Sequence, residues 1–101
     1  MNVLDFSAME HSAEQAEALL SLLANRHRLM VLCHLSEGDK TVSELLAQST
    51  LSQSALSQHL GKLRDADMVG TRREGQKIRY SIASEEARRL IETLCELYKK
   101  P

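Results

Sequence analysis

The chain is poor in the residues that build cross-linked or turn-rich folds. Its 101 residues include one proline, four glycines, two tyrosines, one phenylalanine and no tryptophan. So little proline and glycine argues against a disordered or β-rich design. Two cysteines make no disulfide framework. No positively charged start leads into an apolar segment, so the N-terminus does not read as a secretory signal. The longest apolar stretches, around 19–24 and 29–33, are broken by serine or charge and fall well short of the roughly 18 residues of a membrane span. The expectation is a cytoplasmic chain with reduced thiols and no membrane contact. The length suits a single domain over 1–101, with 1–8 as a loose N-terminal arm.

What is present favours helices. Leu, Ala, Ser, Glu and Arg are abundant, and 43% of the residues are hydrophobic. The net charge of −1 excludes a uniformly basic coat but hides an asymmetry. Residues 1–24 hold Asp5, Glu10, Glu14 and Glu17 with no Lys or Arg, a charge of −4. Residues 52–79 carry +3, because Lys62, Arg64, Arg72, Arg73, Lys77 and Arg79 outnumber Asp65, Asp67 and Glu74. A basic half is enough for an electrostatic footprint on nucleic acid.

Periodicity divides the chain. Ala13, Ala16, Leu19, Leu20 and Leu23 follow helical spacing over about 9–24. Asn25 caps a second helix with the stripe Leu29, Leu32, Cys33 and Ser36, which Gly38 stops. Thr41-Val42-Ser43-Glu44 has the form of a capping box for a short third helix over about 43–48. Ser52 caps a fourth over about 53–66, with Leu56, Leu60 and Leu63 facing inward. The period then becomes two. Val69 and Thr71 alternate, Glu74-Gly75-Gln76 turns, and Ile78, Tyr80 and Ile82 alternate back, which is a hairpin. Ser84 caps a last helix striped by Ala87, Leu90, Ile91, Leu94, Leu97 and Tyr98. The predicted class is mainly α with a small β-hairpin, in the order ααααββα.

Two helices joined by a tight turn and followed at once by a basic hairpin make a winged helix-turn-helix. The fourth helix would enter the major groove. Its polar residues Gln53, Ser54, Ser57, Gln58, His59 and Lys62 are hydrogen-bonding types, and glutamine addresses adenine bidentately. In the hairpin, Arg72, Arg73, Lys77 and Arg79 suit phosphates or a narrow minor groove. Strand edges also use charge to block aggregation, which accounts for one or two of these cations. Arg26 and Arg28 begin the second helix, where anions are favoured. Arg28 reads equally well as an ion-pair partner.

The run Leu51-Ser52-Gln53-Ser54-Ala55-Leu56-Ser57-Gln58-His59-Leu60 resembles the ArsR/SmtB family of bacterial winged-helix repressors. The resemblance extends through Ala24-Asn25-Arg26-His27-Arg28-Leu29 and Thr71-Arg72-Arg73-Glu74-Gly75-Gln76-Lys77-Ile78-Arg79-Tyr80. It covers about 12–98 and is strongest to the NolR, HlyU and BigR branch. It implies a homodimer through the first and last helices. It also implies repression by binding an inverted-repeat operator in double-stranded DNA, relieved by an inducer.

The resemblance also frames what is sensed. Metal-sensing members use cysteines before the recognition helix, or Asp and His on the last helix. Here Ser43-Glu44-Leu45-Leu46-Ala47-Gln48 lacks Cys, the last helix lacks Asp and His, and the four histidines are scattered. No metal site and no cofactor are expected. The BigR-like branch places one sensing Cys on the second helix and one on the last, where reactive sulfur or an oxidant joins them and DNA is released. Cys33 falls at the implied position. Cys95 lies about one turn, or about 5.4 Å, before the usual one. In this reading Cys33 attacks or is persulfidated, and Cys95 resolves. A second reading makes both cysteines small buried hydrophobes in a repressor without thiol or metal sensing. A winged helix used for protein contact would show an apolar recognition face, and this one is polar. An enzyme is not expected: Cys33 and His34 diverge on their helix, and no phosphate loop or paired-Cys motif exists.

Overall fold

The computed structural model describes residues 6–99. Five helices and three strands follow in order: α1 (Phe6–Leu23), α2 (Arg26–Ser36), β1 (Lys40–Thr41), α3 (Val42–Ala47), α4 (Gln53–Asp65), β2 (Val69–Glu74), β3 (Lys77–Ile82) and α5 (Glu85–Tyr98). Four predicted caps are in place. Asn25 accepts from the His27 and Arg28 amides, Ser52 from Ala55, and Ser84 from Ala87. Thr41 and Glu44 form the reciprocal capping box of α3. Each cap satisfies amides that would otherwise lack a partner at a helix start.

The structure departs from the expected elements at three places. α1 begins at Phe6, so 6–8 are helical rather than part of a loose arm, and residues 1–5 of that arm lie outside the described residues. β1 was not foreseen. It makes the hairpin a three-stranded antiparallel sheet in the order β1-β3-β2, with Lys40 opposite Tyr80 and Thr41 opposite Arg79. On α2 Val31 and Leu35, expected only to flank the stripe, are buried along with Leu32, while Leu29 and Cys33 are partly buried against the core. The cause is that α2 is wrapped: it packs on α1, α4, α5 and β3.

One aliphatic cluster holds these elements together. Leu32, Leu35, Leu45, Leu56, Leu60, Leu63 and Ile91 are its fully buried members, joined by Val69, Ile82 and Ala87. Leu56, Leu60 and Leu63 pin α4 to this core, so its other face is presented outward. β2 and β3 pair from Val69 opposite Ile82 to Glu74 opposite Lys77, leaving a two-residue turn. Gly75 takes φ +64 there, a left-handed backbone that glycine adopts without strain and that fits the first position of a type II′ turn.

Candidate nucleic-acid interface

α4 shows a clean division. Gln53, Ser54, Ser57, Gln58 and Lys62 are exposed, as expected. The Ser54 and Ser52 hydroxyls lie 3.4 Å apart in a hydrogen bond, so the start of the helix offers a cluster of orientable donors and acceptors. Gly61 lies among these residues, and a Cβ built on it would meet nothing within 4 Å. His59 departs from the expectation. It is half-buried, its ring 5.6 Å from that of His27 on α2, and its Nδ1 is buried with no hydrogen-bond partner among the described residues. Burial first, then the charges of Arg28, His27 and Lys62, hold its pKa below the ordinary histidine value. The reason is angular: three residues after Leu56 and one before Leu60, position 59 flanks the buried stripe.

The wing sorts its cations by strand face. Arg72 and Arg79 are direct cross-strand partners, and Lys77 and Glu74 share their face. Arg73 points to the other face, opposite Ile78. Arg72, Arg73 and Lys77 are exposed, but Arg79 is half-buried. Arg79 donates its Nε–H to Glu74 at 3.1 Å, and its Nη1 lies 3.6 Å from Glu44 and donates to the Asp39 carbonyl at 3.4 Å. Arg72 lies 3.5 Å from Glu74 and 3.9 Å from Asp39. Two acids from outside the hairpin, Asp39 and Glu44, therefore reach the wing, and with them its charge drops from +3 to +1. Arg79 is thus placed as a buttress of the wing rather than a free cation. Arg73 and Lys77 have no ion pair among the described residues. Nothing local in the sequence signals the reach of Asp39 and Glu44, which depends on β1 pairing with β3.

Arg28 is also committed. Its Nε donates to the Leu22 carbonyl at 2.7 Å and ties the start of α2 to the end of α1. Arg26 lines a cleft of about 360 Å³ between α2 and the α3–α4 turn, with His27, His34, Gln48 and Thr50.

The two cysteines meet. Despite the early position of Cys95, its Sγ lies 3.5 Å from that of Cys33, a thiol–thiol hydrogen bond between α2 and α5. Both are free thiols; Cys33 is half-buried and Cys95 is exposed. Burial, the hydrogen bond to Cys95, and the charges of Cys95 and Glu37 push the Cys33 thiol up to about 11. Among the described residues no group of three or more His, Cys, Asp or Glu is placed to hold a metal ion. No described helix is long and apolar enough to cross a membrane.

A helix-turn-helix pinned to an aliphatic core, a polar face on its second helix and a charged wing behind it define a winged-helix transcriptional regulator. The comparisons agree. Residues 25–71 match the model of the bacterial regulatory protein, arsR family. The chain is 42% identical over 95 residues to the transcriptional activator HlyU of Vibrio cholerae, covering 94% of this chain and 88% of that one. It is 45% identical over 94 residues to the biofilm growth-associated repressor of Agrobacterium fabrum, covering 93% and 80%. The crystal structure of the transcriptional repressor BigR from Xylella fastidiosa superposes with a TM-score of 0.88 at 35% identity, over 97% of this chain and all of that one. The chain belongs to the ArsR family, a family of DNA-binding transcriptional regulators and not of enzymes.

Proposed function

We propose that this chain is a homodimeric, cytoplasmic repressor that binds an inverted-repeat operator and is released when a reactive sulfur species or an oxidant modifies Cys33 and Cys95. The observation that carries the sensing reading is the 3.5 Å separation of the two sulfurs, one on each of two packed helices. A disulfide needs about 2.05 Å, so bridging asks for an approach of about 1.5 Å. α2 also packs on α4 and carries His27 against His59. A shift of α2 toward α5 would therefore be felt by the recognition helix.

The dimer reading rests on unpartnered apolar surface. On α1, Met9 and Leu20 are more than half exposed, and on α5 Leu97 and Tyr98 are 70% and 80% exposed. Exposed apolar residues on two helices of one small chain suit an interface with a second copy. Such a dimer would set Gln53, Ser54, Ser57, Gln58 and Lys62 of each copy into major grooves about one helical turn apart, with Arg72, Arg73 and Lys77 on the flanking backbone.

A second reading is favoured by the burial of Cys33. A half-buried thiol in contact with its neighbour is also what a structural cysteine looks like, and the repressor would then ignore thiol state. Fluorescence anisotropy on the DNA upstream of the protein's own gene separates the two. Reduced and polysulfide-treated protein are titrated at one salt concentration against that duplex and a scrambled one. Loss of specific binding after treatment supports the thiol-responsive repressor. Equal specific binding in both states makes the cysteines structural.

A further inference from the structure

The two thiols of the pair differ in access, and the difference sets an order. Cys95 is exposed, while Cys33 is half-buried on α2, which packs against α5. At roughly 100° per residue, Leu90, Leu94 and Leu97 lie along one flank of α5, and Cys95 lies on the opposite flank with Arg88 and Glu92. A second copy docked on the leucine flank and on Tyr98, three residues after Cys95 at the helix end, would cover a span of α5 that stops short of the flank of Arg88, Glu92 and Cys95. Cys33 is also held protonated by its surroundings, and a protonated thiol is a poor opening nucleophile.

We propose that Cys95 is the thiol that reacts first with a sulfane-sulfur donor, and that Cys33 resolves the adduct. This reverses the roles expected within the sensing reading that the resemblance implies, and it rests on the thiol-responsive reading above. In the first step the Cys95 thiolate attacks a terminal sulfur of an inorganic polysulfide. A new S–S bond forms, one S–S bond of the polysulfide breaks, and the shortened polysulfide leaves with the electron pair. Cys95 is now a persulfide. In the second step Cys33 attacks the Cys95 Sγ and passes its proton to the outer sulfur of the persulfide anion, which leaves as hydrosulfide. Two thiols are oxidised to one disulfide, and one sulfane sulfur is reduced to sulfide. The covered sulfur needs no access to bulk solvent for this second step, because its target is already in contact at 3.5 Å.

The test uses the full chain, reduced, with limiting sodium tetrasulfide. Samples are trapped at intervals with iodoacetamide and the cysteine peptides are mapped by mass. The first adduct is expected on the Cys95 peptide, before any bridged species. In Cys33→Ser the Cys95 persulfide should accumulate at close to the wild-type rate of attack. In Cys95→Ser the rate of Cys33 modification should fall several-fold, because a half-buried thiol meets the donor less readily than an exposed one. A first adduct on Cys33, or an unchanged rate in Cys95→Ser, overturns the order. The wild-type map is independent of whether either variant folds. Operator binding is read on the same samples. Adducts that form in this order while binding is unchanged overturn thiol control of DNA binding and leave the order standing. No adduct on either cysteine overturns both.

Discussion

Arg79 donates its Nε–H to the Glu74 carboxylate at 3.1 Å, across the two-residue turn that joins β2 to β3. The contact answers a problem in the strand register. Arg72 sits directly opposite Arg79, and like charges opposed across a strand pair repel. Glu74 lies within reach of both guanidinium groups. The hydrogen bond and charge of Arg79 hold the Glu74 carboxyl below the ordinary carboxylate range, and Glu74 in turn raises Arg79.

Glu74→Gln should therefore strengthen DNA binding. Removing the carboxylate returns positive charge to the wing, and each added phosphate contact steepens the dependence of log K on log salt by about one. Anisotropy titrations on a random duplex at several salt concentrations should show tighter binding at low salt and a steeper slope. An unchanged slope would mean that the wing does not approach the backbone.

Base reading and backbone holding are expected to separate by residue. Gln58→Ala should weaken the operator by about 1–3 kcal/mol while leaving random DNA nearly unchanged. Lys77→Ala should weaken both alike and flatten the salt slope by about one. Should Gln58→Ala leave the ratio of operator to random affinity untouched, α4 is not the reading element.

His59 predicts an acid-side loss of stability. Its folded pKa is depressed, so between the ordinary value near 6.5 and the lower folded value the unfolded chain binds more protons than the folded one. Stability contributed by the neutral ring is full above pH 6.5 and is lost as pH falls through that window. Urea denaturation from pH 7.5 to 5 should show the decline, and His59→Gln should flatten it. A decline of equal size in the variant would assign it to another group.

Gly61 predicts a gain. A glycine inside a helix costs roughly 0.5–1 kcal/mol relative to alanine, and nothing in the chain lies within 4 Å of the missing Cβ. Gly61→Ala should raise the free energy of unfolding by about that amount, read from the urea midpoint. A loss of stability would show that the helix is not as regular around residue 61 as the hydrogen bonding of α4 implies.

Much of this architecture was legible in the sequence because its signals are local. Asn25, Thr41, Ser52 and Ser84 each announce a helix by the chemistry of a cap, and the change of period at Val69 announces the hairpin. β1 was not legible, since two residues, Lys40 and Thr41, are too short to show alternation. The start of α1 was missed because the apolar periodicity used to place it begins only at Ala13, although Asp5, a cap-type residue, directly precedes Phe6 in the sequence. His59 was assigned by polarity, although its place beside Leu56 and Leu60 turns it toward α2. Asp39 and Glu44 reach the wing, and Cys95 reaches Cys33, only through tertiary packing, which spacing along the chain does not encode.

Thr41 gives the architecture a mechanical character. Buried to 7% exposure, it caps α3 through the Glu44 amide at 3.2 Å and is also the strand residue facing Arg79. The wing is thus geared to the helix-turn-helix rather than hinged on it, with one residue as the shared axle. A probe of this kind has a fixed span between its two points of contact. Any mismatch between that span and the groove spacing of a duplex must be absorbed by the duplex. DNA stiffness then enters the choice of operator, including at base pairs that no side chain touches.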